Sequence, residues 1–366
     1  MAAGLSIRAL LGFAYLLWAC ALSSASPTKG GPSRPGHKVP IVRREWRILS
    51  KHDKADYIKA VKCLLVKPAL TPAFNNTGVK SRYDDLVYTH VQQTNAIHFT
   101  GHFMAWHRFF TATYETMLRN ECGFTGAQPY WDWTLDSPAS NWASSPVFDA
   151  VTGFGGNGAF IPGDPTSPWE VPGRSGGGCV TTGPFAGDNT LVHLGPFDSV
   201  TYNPQCLKRD LAPYFAARYL AKNQTQLTLA QPDFGWFART VEGGPSFEAS
   251  GIHGGGHYGV GGTYGQMGDL FVSPADPLFF LHHANLDRVW WSWQKLNLRT
   301  RLTDVSGPIY LMDYANALGG NVTLDFPMTL GVSAADLTVA DVMNISGCGK
   351  TGAMCYEYDK VYTLQK

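Results

Sequence analysis

Eight of the eleven histidines fall in two groups: His90, His98, His102 and His107, then His253, His257, His282 and His283. An isolated histidine is usually a hydrogen-bonded core or surface residue, and His37, His52 and His193 are read that way. Imidazoles gathered on several helices of an aromatic-rich chain are instead what a metal site inside a helical bundle requires. All-imidazole ligation suits copper, zinc, iron or nickel, with copper highest in intrinsic affinity. No Asp or Glu lies among the candidate ligands, which argues against a carboxylate-bridged di-iron centre. No Cys does either, which argues against blue-copper and structural zinc sites.

Neighbouring residues on a helix diverge by about 100°, so only one of His282 and His283 can face a given metal. His283 shares a helical face with Phe279, Asp287, Trp290 and Gln294, which selects it. Asp287, one turn on, is then expected to orient the ring nitrogen that holds no metal. Spacing alone leaves open the corresponding choice between His98 and His102.

The elements that must position these residues are mostly helical. Ser50 followed by Asp53 resembles a capping box, and Tyr57, Ile58, Val61, Leu64 and Leu65 continue at helical spacing. Further helices are expected over roughly 82–93, carrying His90, and 104–119, carrying His107, the latter closed by Gly123. Residues 137–210 are rich in Gly and Pro and read as long ordered loops, with Cys179 and Cys206 available to staple them. His253 and His257 flank three glycines, each costing a helix about 1 kcal/mol relative to Ala, so only packing or metal would keep that helix. The segment 276–296 reads as a strong helix, and the chain beyond 300 as short strands and loops.

The whole chain has 366 residues, of which 44% are apolar and 16% charged, with a net charge of +1. That is enough to bury a large core, and it gives no field to gather nucleic acid or a membrane surface. Residues 1–25 have the pattern of a signal peptide, with Arg8, an apolar run from Ala9 to Leu22 and small residues before a cleavage point near Ala25. Residues 26–41 read as a flexible lead-in and 42–366 as a single catalytic domain. Six cysteines remain once Cys20 leaves with the leader, an even number suited to three disulfides in an oxidising compartment. Sequons at Asn75, Asn223, Asn321 and Asn344 fit a secreted, extracellular glycoprotein.

The stretches "HFTGHFMAWHRFF", "YWDW", "HGGGH" and "DPLFFLHHANLDRVWWSW" resemble the type-3 copper family of tyrosinases, catechol oxidases and molluscan hemocyanins. The resemblance runs from about Val42 to Tyr362, and "VRREWRILS", "LRNECG" and "PYWDW" bring it close to short secreted fungal polyphenol oxidases. It implies a mainly α fold, a four-helix bundle core holding a dicopper site, with long loops and a few short strands. It implies two copper ions, held by His90, His98 and His107 and by His253, His257 and His283, with O2 as co-substrate. Phe279 matches the aromatic that projects toward the metal pair, and His102 and His282 are left to support or pack around the ligands.

The same resemblance implies oxidation of o-diphenols to o-quinones with reduction of O2 to water. Family members that hydroxylate monophenols commonly carry Asn after the first histidine of the second motif, where it helps a glutamate hold a base water. This chain has Gly254 there and Tyr258 after the second histidine, so catechol oxidase activity is expected to dominate. Glu248 is the candidate for the water-holding carboxylate. Ala96 stands where many relatives have a thioether cysteine, so His98 is expected to be unlinked. Residues 284–366 leave little room for a C-terminal plug, so no latent form of that kind is expected. Small phenols, o-diphenols first and o-aminophenols after them, are the expected partners. A full tyrosinase, an o-aminophenol oxidase, an oxygen carrier and a zinc hydrolase are the rival readings.

Overall fold

Capping chemistry opens the helical scaffold. Ser50 Oγ accepts the Asp53 N–H at 3.1 Å and starts α1 (Lys51–Val66). Ser81 and Asp84 form a reciprocal capping box at the head of α2 (Arg82–Ile97), which also places a carboxylate at the positive end of the helix. The third helix, α3 (Phe103–Cys122), stops where Gly123 takes φ 69°, a left-handed conformation that a Cβ disfavours. Cys63–Cys122 ties the end of α3 to α1 across a sequence separation of 59. Closing a loop of that length removes about 4 kcal/mol of chain entropy from the unfolded state.

The computed structural model describes residues 39–365 apart from 75, 165, 188–190 and 349–353. The leader at 1–25, most of the lead-in at 26–41 and the sequon at Asn75 lie outside the described residues. Ile41, counted with the lead-in, is already the first residue of β1 (Ile41–Arg43).

The described residues of 137–210 are mostly loops, with a short helix, α4 (Ala139–Trp142), a 3-10 turn at Pro146–Phe148, and an antiparallel ribbon, β2 (Gly158–Phe160) with β3 (Gly177–Val180). Their order comes from the Cys179–Cys206 disulfide and from buried ionic contacts. Arg209 grips Asp276 through Nε (2.7 Å) and Nη2 (2.9 Å), and Asp276 in turn accepts the Leu278 N–H. The loop region is thereby fastened to the start of the helix that carries His283.

Three helices follow that periodicity had not disclosed: α5 (Pro213–Tyr219), α6 (Lys222–Leu229) and α7 (Phe234–Glu242). Next come α8 (Ile252–Gly261) and α9 (Leu278–Lys295). The glycines of α8 are used for close approach. A Cβ on Gly255 would stand 2.8 Å from Tyr219 Cβ, and one on Gly256 would stand 2.1 Å from His282 Cε1. Packing against α5 and α9 therefore keeps a helix that propensity disfavours.

The bundle is formed by α2, α3, α8 and α9, with α3 along α9, α2 against α3 and α8 against α9. Short strands close the ends: β4 (Pro327–Met328) pairs antiparallel with β5 (Leu337–Thr338), and β6 (Tyr356–Tyr358) pairs parallel with β1. That last pairing delivers Arg43, Tyr356 and Tyr358 into the core beside Asp287. The third disulfide is Cys348–Cys355. Among the described residues no helix is long and apolar enough to cross a membrane.

Candidate metal centre

His90 lies on α2, His98 ends that helix in an extended conformation (φ −117°, ψ 144°), and His107 faces both from α3. Each of the three offers a nitrogen within 4.8 Å of the others, and His253, His257 and His283 form a second group by the same measure. All six are at most 8% exposed.

The two groups share one space. His107 stacks on His283 with ring centroids 4.6 Å apart, and His98 stacks on His253 at 5.7 Å. Phe279 stacks on His283 at 4.1 Å and meets His257 at 5.7 Å and His90 at 5.5 Å. One aromatic ring thus holds rings from both groups in register.

Hydrogen bonds decide which nitrogens face inward. Nδ1 of His90 contacts the Phe271 carbonyl (2.8 Å), that of His98 the Thr94 carbonyl (2.8 Å), that of His107 the Phe103 carbonyl (2.9 Å) and that of His257 the Met267 carbonyl (2.9 Å). A carbonyl only accepts, so each Nδ1 carries the hydrogen and each Nε2 is a bare lone pair. Nε2 of His90, His107 and His253 is buried without any hydrogen-bond partner. Leaving such acceptors empty costs about 1–3 kcal/mol each, a penalty that a bound cation removes. His257 Nε2 and His283 Nε2 stand 3.2 Å apart, the approximate separation of two nitrogens bound to one ion at about 2.0–2.1 Å.

Burial holds all six rings below the ordinary histidine range, His98 down to about 4 and His257 to about 3. His90, His107, His253 and His283 lie well below it, through burial first and neighbouring rings second. The rings are neutral at pH 7, the state that ligates.

The two histidines set aside stand outside both groups. His102 precedes the first turn of α3 and packs on Phe326 at 4.5 Å. His282 has both nitrogens committed, Nδ1 accepting from Trp133 Nε1 (3.1 Å) and Nε2 donating to the His253 carbonyl (3.0 Å).

Residues 80–296 match the family model described as the common central domain of tyrosinase. The chain belongs to the tyrosinase family. Its centre is a binuclear copper site, and two groups of three imidazoles with bare, buried nitrogens fit a pair of copper ions. Among tyrosinase-family relatives, the chain is 34% identical over 354 residues to a tyrosinase-like protein of Diaporthe leptostromiformis, covering 92% of this chain and 82% of that one. It is 35% identical over 353 residues to the N-acetyl-6-hydroxytryptophan oxidase of Emericella nidulans, covering 87% and 92%. A mutant polyphenol oxidase from Thermothelomyces thermophila superposes with a TM-score of 0.77 at 40% identity, over 88% of this chain and 89% of that one. A tyrosinase from Burkholderia thailandensis, 17% identical with a TM-score of 0.56 over 90% of this chain and 75% of that one, shares the fold.

Two carboxylates depart from expectation. Glu248 is exposed on the one-turn helix Phe247–Ala249, where a water bound to it would be bulk solvent. The buried carboxylate is Glu242, the last residue of α7, 3% exposed, whose Oε1 accepts the Phe99 N–H at 2.7 Å beside His98. Burial pushes its carboxyl well above the usual range. Asp233 caps α7, and Phe234, Phe237 and Val241 recur at helical spacing, a signal that could have marked an amphipathic helix ending at Glu242.

Asp287 does not orient His283. Its oxygens are taken by Arg108, by Tyr356 and Tyr358 at 2.6 Å each, and by Arg43 at 3.4 Å. One-turn spacing could not disclose partners supplied by β1 and β6. Gly254 is half-buried beside His253, and a Cβ there would stand 2.2 Å from Ser250 Oγ. Tyr258 leans on Phe247 (4.9 Å) and Phe215 (5.5 Å).

Proposed function

We propose that this tyrosinase-family oxidase is a secreted catechol oxidase, converting o-diphenols to o-quinones with weak or no hydroxylation of monophenols. The observation that carries the reading is Gly254. Copper, when bound, supplies the two-electron exchange between diphenol and dioxygen.

The chain's own residues do the rest. Six neutral imidazoles hold the ions, and Phe279 keeps their rings in place. Glu242 is a buried carboxyl that accepts the N–H of Phe99, next to His98, and burial disfavours the ionised form that a base needs. Gly254 offers no side chain to support the charged form. A monophenol, whose pKa is near that of tyrosine at about 10, needs this assistance most.

Steady-state kcat/KM on catechol, a monophenol, an o-aminophenol and a 6-hydroxyindole tests the reading. The hydroxyindole belongs in the panel because one relative is an N-acetyl-6-hydroxytryptophan oxidase. Catechol should exceed the monophenol by about 100-fold, the scale of one poorly served proton transfer. Gly254→Asn should narrow that gap, and more so with Ser250→Gly, because Ser250 Oγ occupies the space the new side chain needs. Rapid monophenol hydroxylation by the wild type without a lag would overturn the assignment.

Secretion is supported by the leader pattern of residues 1–25, by three disulfides and by the exposure of Asn223, Asn321 and Asn344. Expression in a eukaryotic host should give a medium form beginning after Ala25 whose mobility shifts on deglycosylation. Retention in the cytosol with the leader intact would refute it.

A further inference from the structure

The six ligands are not supported alike. In the first triad each ring is anchored through its own Nδ1 to a backbone carbonyl. In the second, His257 alone has such an anchor among the described residues. His253 and His283 sit on different helices, and what sets α8 against α9 at that point is His282.

The His282 ring is fully buried and lies against all three second-triad ligands, parallel to His253 at 6.1 Å and edge-on to His257 and His283 at 5.2 Å each. It nests over Gly256, where any Cβ would strike it. An indole N–H can only donate, so Trp133 obliges His282 Nδ1 to accept, which places the ring hydrogen on Nε2. That hydrogen is then donated to the carbonyl of His253, the backbone of a ligand residue. Without Trp133 the neutral ring could take its other tautomer, and the bond to α8 would be lost.

We propose that Trp133 is a positioning residue for the second copper site: it fixes the tautomer of His282 and thereby the seat of α8 against α9. The inference rests on the dicopper reading above. It predicts asymmetry. Loss of the relay loosens the copper held by His253, His257 and His283 and leaves the other in place.

The test is copper release from the loaded protein to a colorimetric chelator, in wild type, Trp133→Phe, His282→Phe and His282→Gln. Trp133→Phe and His282→Phe should each lose one of two coppers about 10 to 100-fold faster, the usual effect of removing a support from a ligand, with the second unchanged. His282→Gln should stay near wild type, because its amide oxygen can accept from Trp133 while its NH2 donates to His253. Circular dichroism of the apoproteins reports whether each variant folds, and if Trp133→Phe does not, the contrast between His282→Phe and His282→Gln decides alone. Both coppers leaving faster together, or Gln behaving as Phe does, would overturn the relay. A wild type that never holds two coppers would sink the dicopper reading itself.

Discussion

The first triad is gathered within residues 90–107 and the second within 253–283, and the two are held by different means. Around the first, the capped helix α2 and the long helix α3 deliver the rings, backbone carbonyls lock their tautomers, and Cys63–Cys122 fastens the scaffold. Around the second, a glycine-rich helix has little tendency to form alone and is placed by what presses on it: Tyr219 from α5 and His282 from α9. Six chemically equal ligands therefore rest on unequal supports. Backbone carbonyls anchor every ring of one triad, two of them four residues upstream and the third the distant Phe271, whereas the other leans more on side-chain contacts between distant segments.

Removing a ligand from either side gives the largest expected effect. His107→Ala and His283→Ala should each abolish diphenol oxidation and reduce copper by elemental analysis from two per chain to about one. Full activity in either variant would break the assignment of that ring.

Asp287→Asn strikes both triads at once, because Asp287 on α9 holds Arg108 on α3 and Arg43 on β1 in a buried network. Arg43 keeps Glu115, but leaving the buried Arg108 guanidinium without its carboxylate costs about 3–5 kcal/mol, to be read from denaturant unfolding of the apoprotein. Selective loss of one copper at unchanged stability would show that Asp287 serves His283 after all.

Acid should weaken the metal-free protein in the same even-handed way. The folded rings of His98 and His257 hold protons only near pH 4 and 3, whereas an unfolded histidine takes one up near 6.5. Below 6.5 the unfolded chain binds more protons, so stability is complete above that pH and declines as pH falls toward 4 and 3. Urea midpoints measured from pH 7 down to pH 4 should fall steadily, and a flat series would contradict the burial of neutral rings.

Ser50→Ala sharpens the contrast from the far side. It removes the cap of α1, remote from both metal positions, and should cost about 1 kcal/mol in thermal unfolding with copper release unchanged.

Much of this was legible in the sequence because the signals are local. Ser50–Asp53, the 3.6-residue periodicity around His107 and His283 and the stop at Gly123 each need only a few neighbouring residues. The six ligands were legible through motif spacing, and His98 over His102 through the resemblance, since geometry alone left that pair open. What was not legible depends on residues far apart in the chain. Asp287 looked like a partner for His283 until β1 and β6 brought Arg43, Tyr356 and Tyr358 to it. Glu248 lay close in sequence to His253, while the buried position belongs to Glu242 across the turn between α7 and α8, whose ends are joined by the Gly251 N–H to the Glu242 carbonyl. The role of His282 needed Trp133, 149 residues away.

The most direct test of the central claim is a copper anomalous-scattering map from crystals of the loaded protein. Two peaks are expected, one within about 2.0–2.1 Å of nitrogens from His90, His98 and His107 and the other equally close to His253, His257 and His283. A single peak, or a copper bound by His102 or His282, would contradict the account.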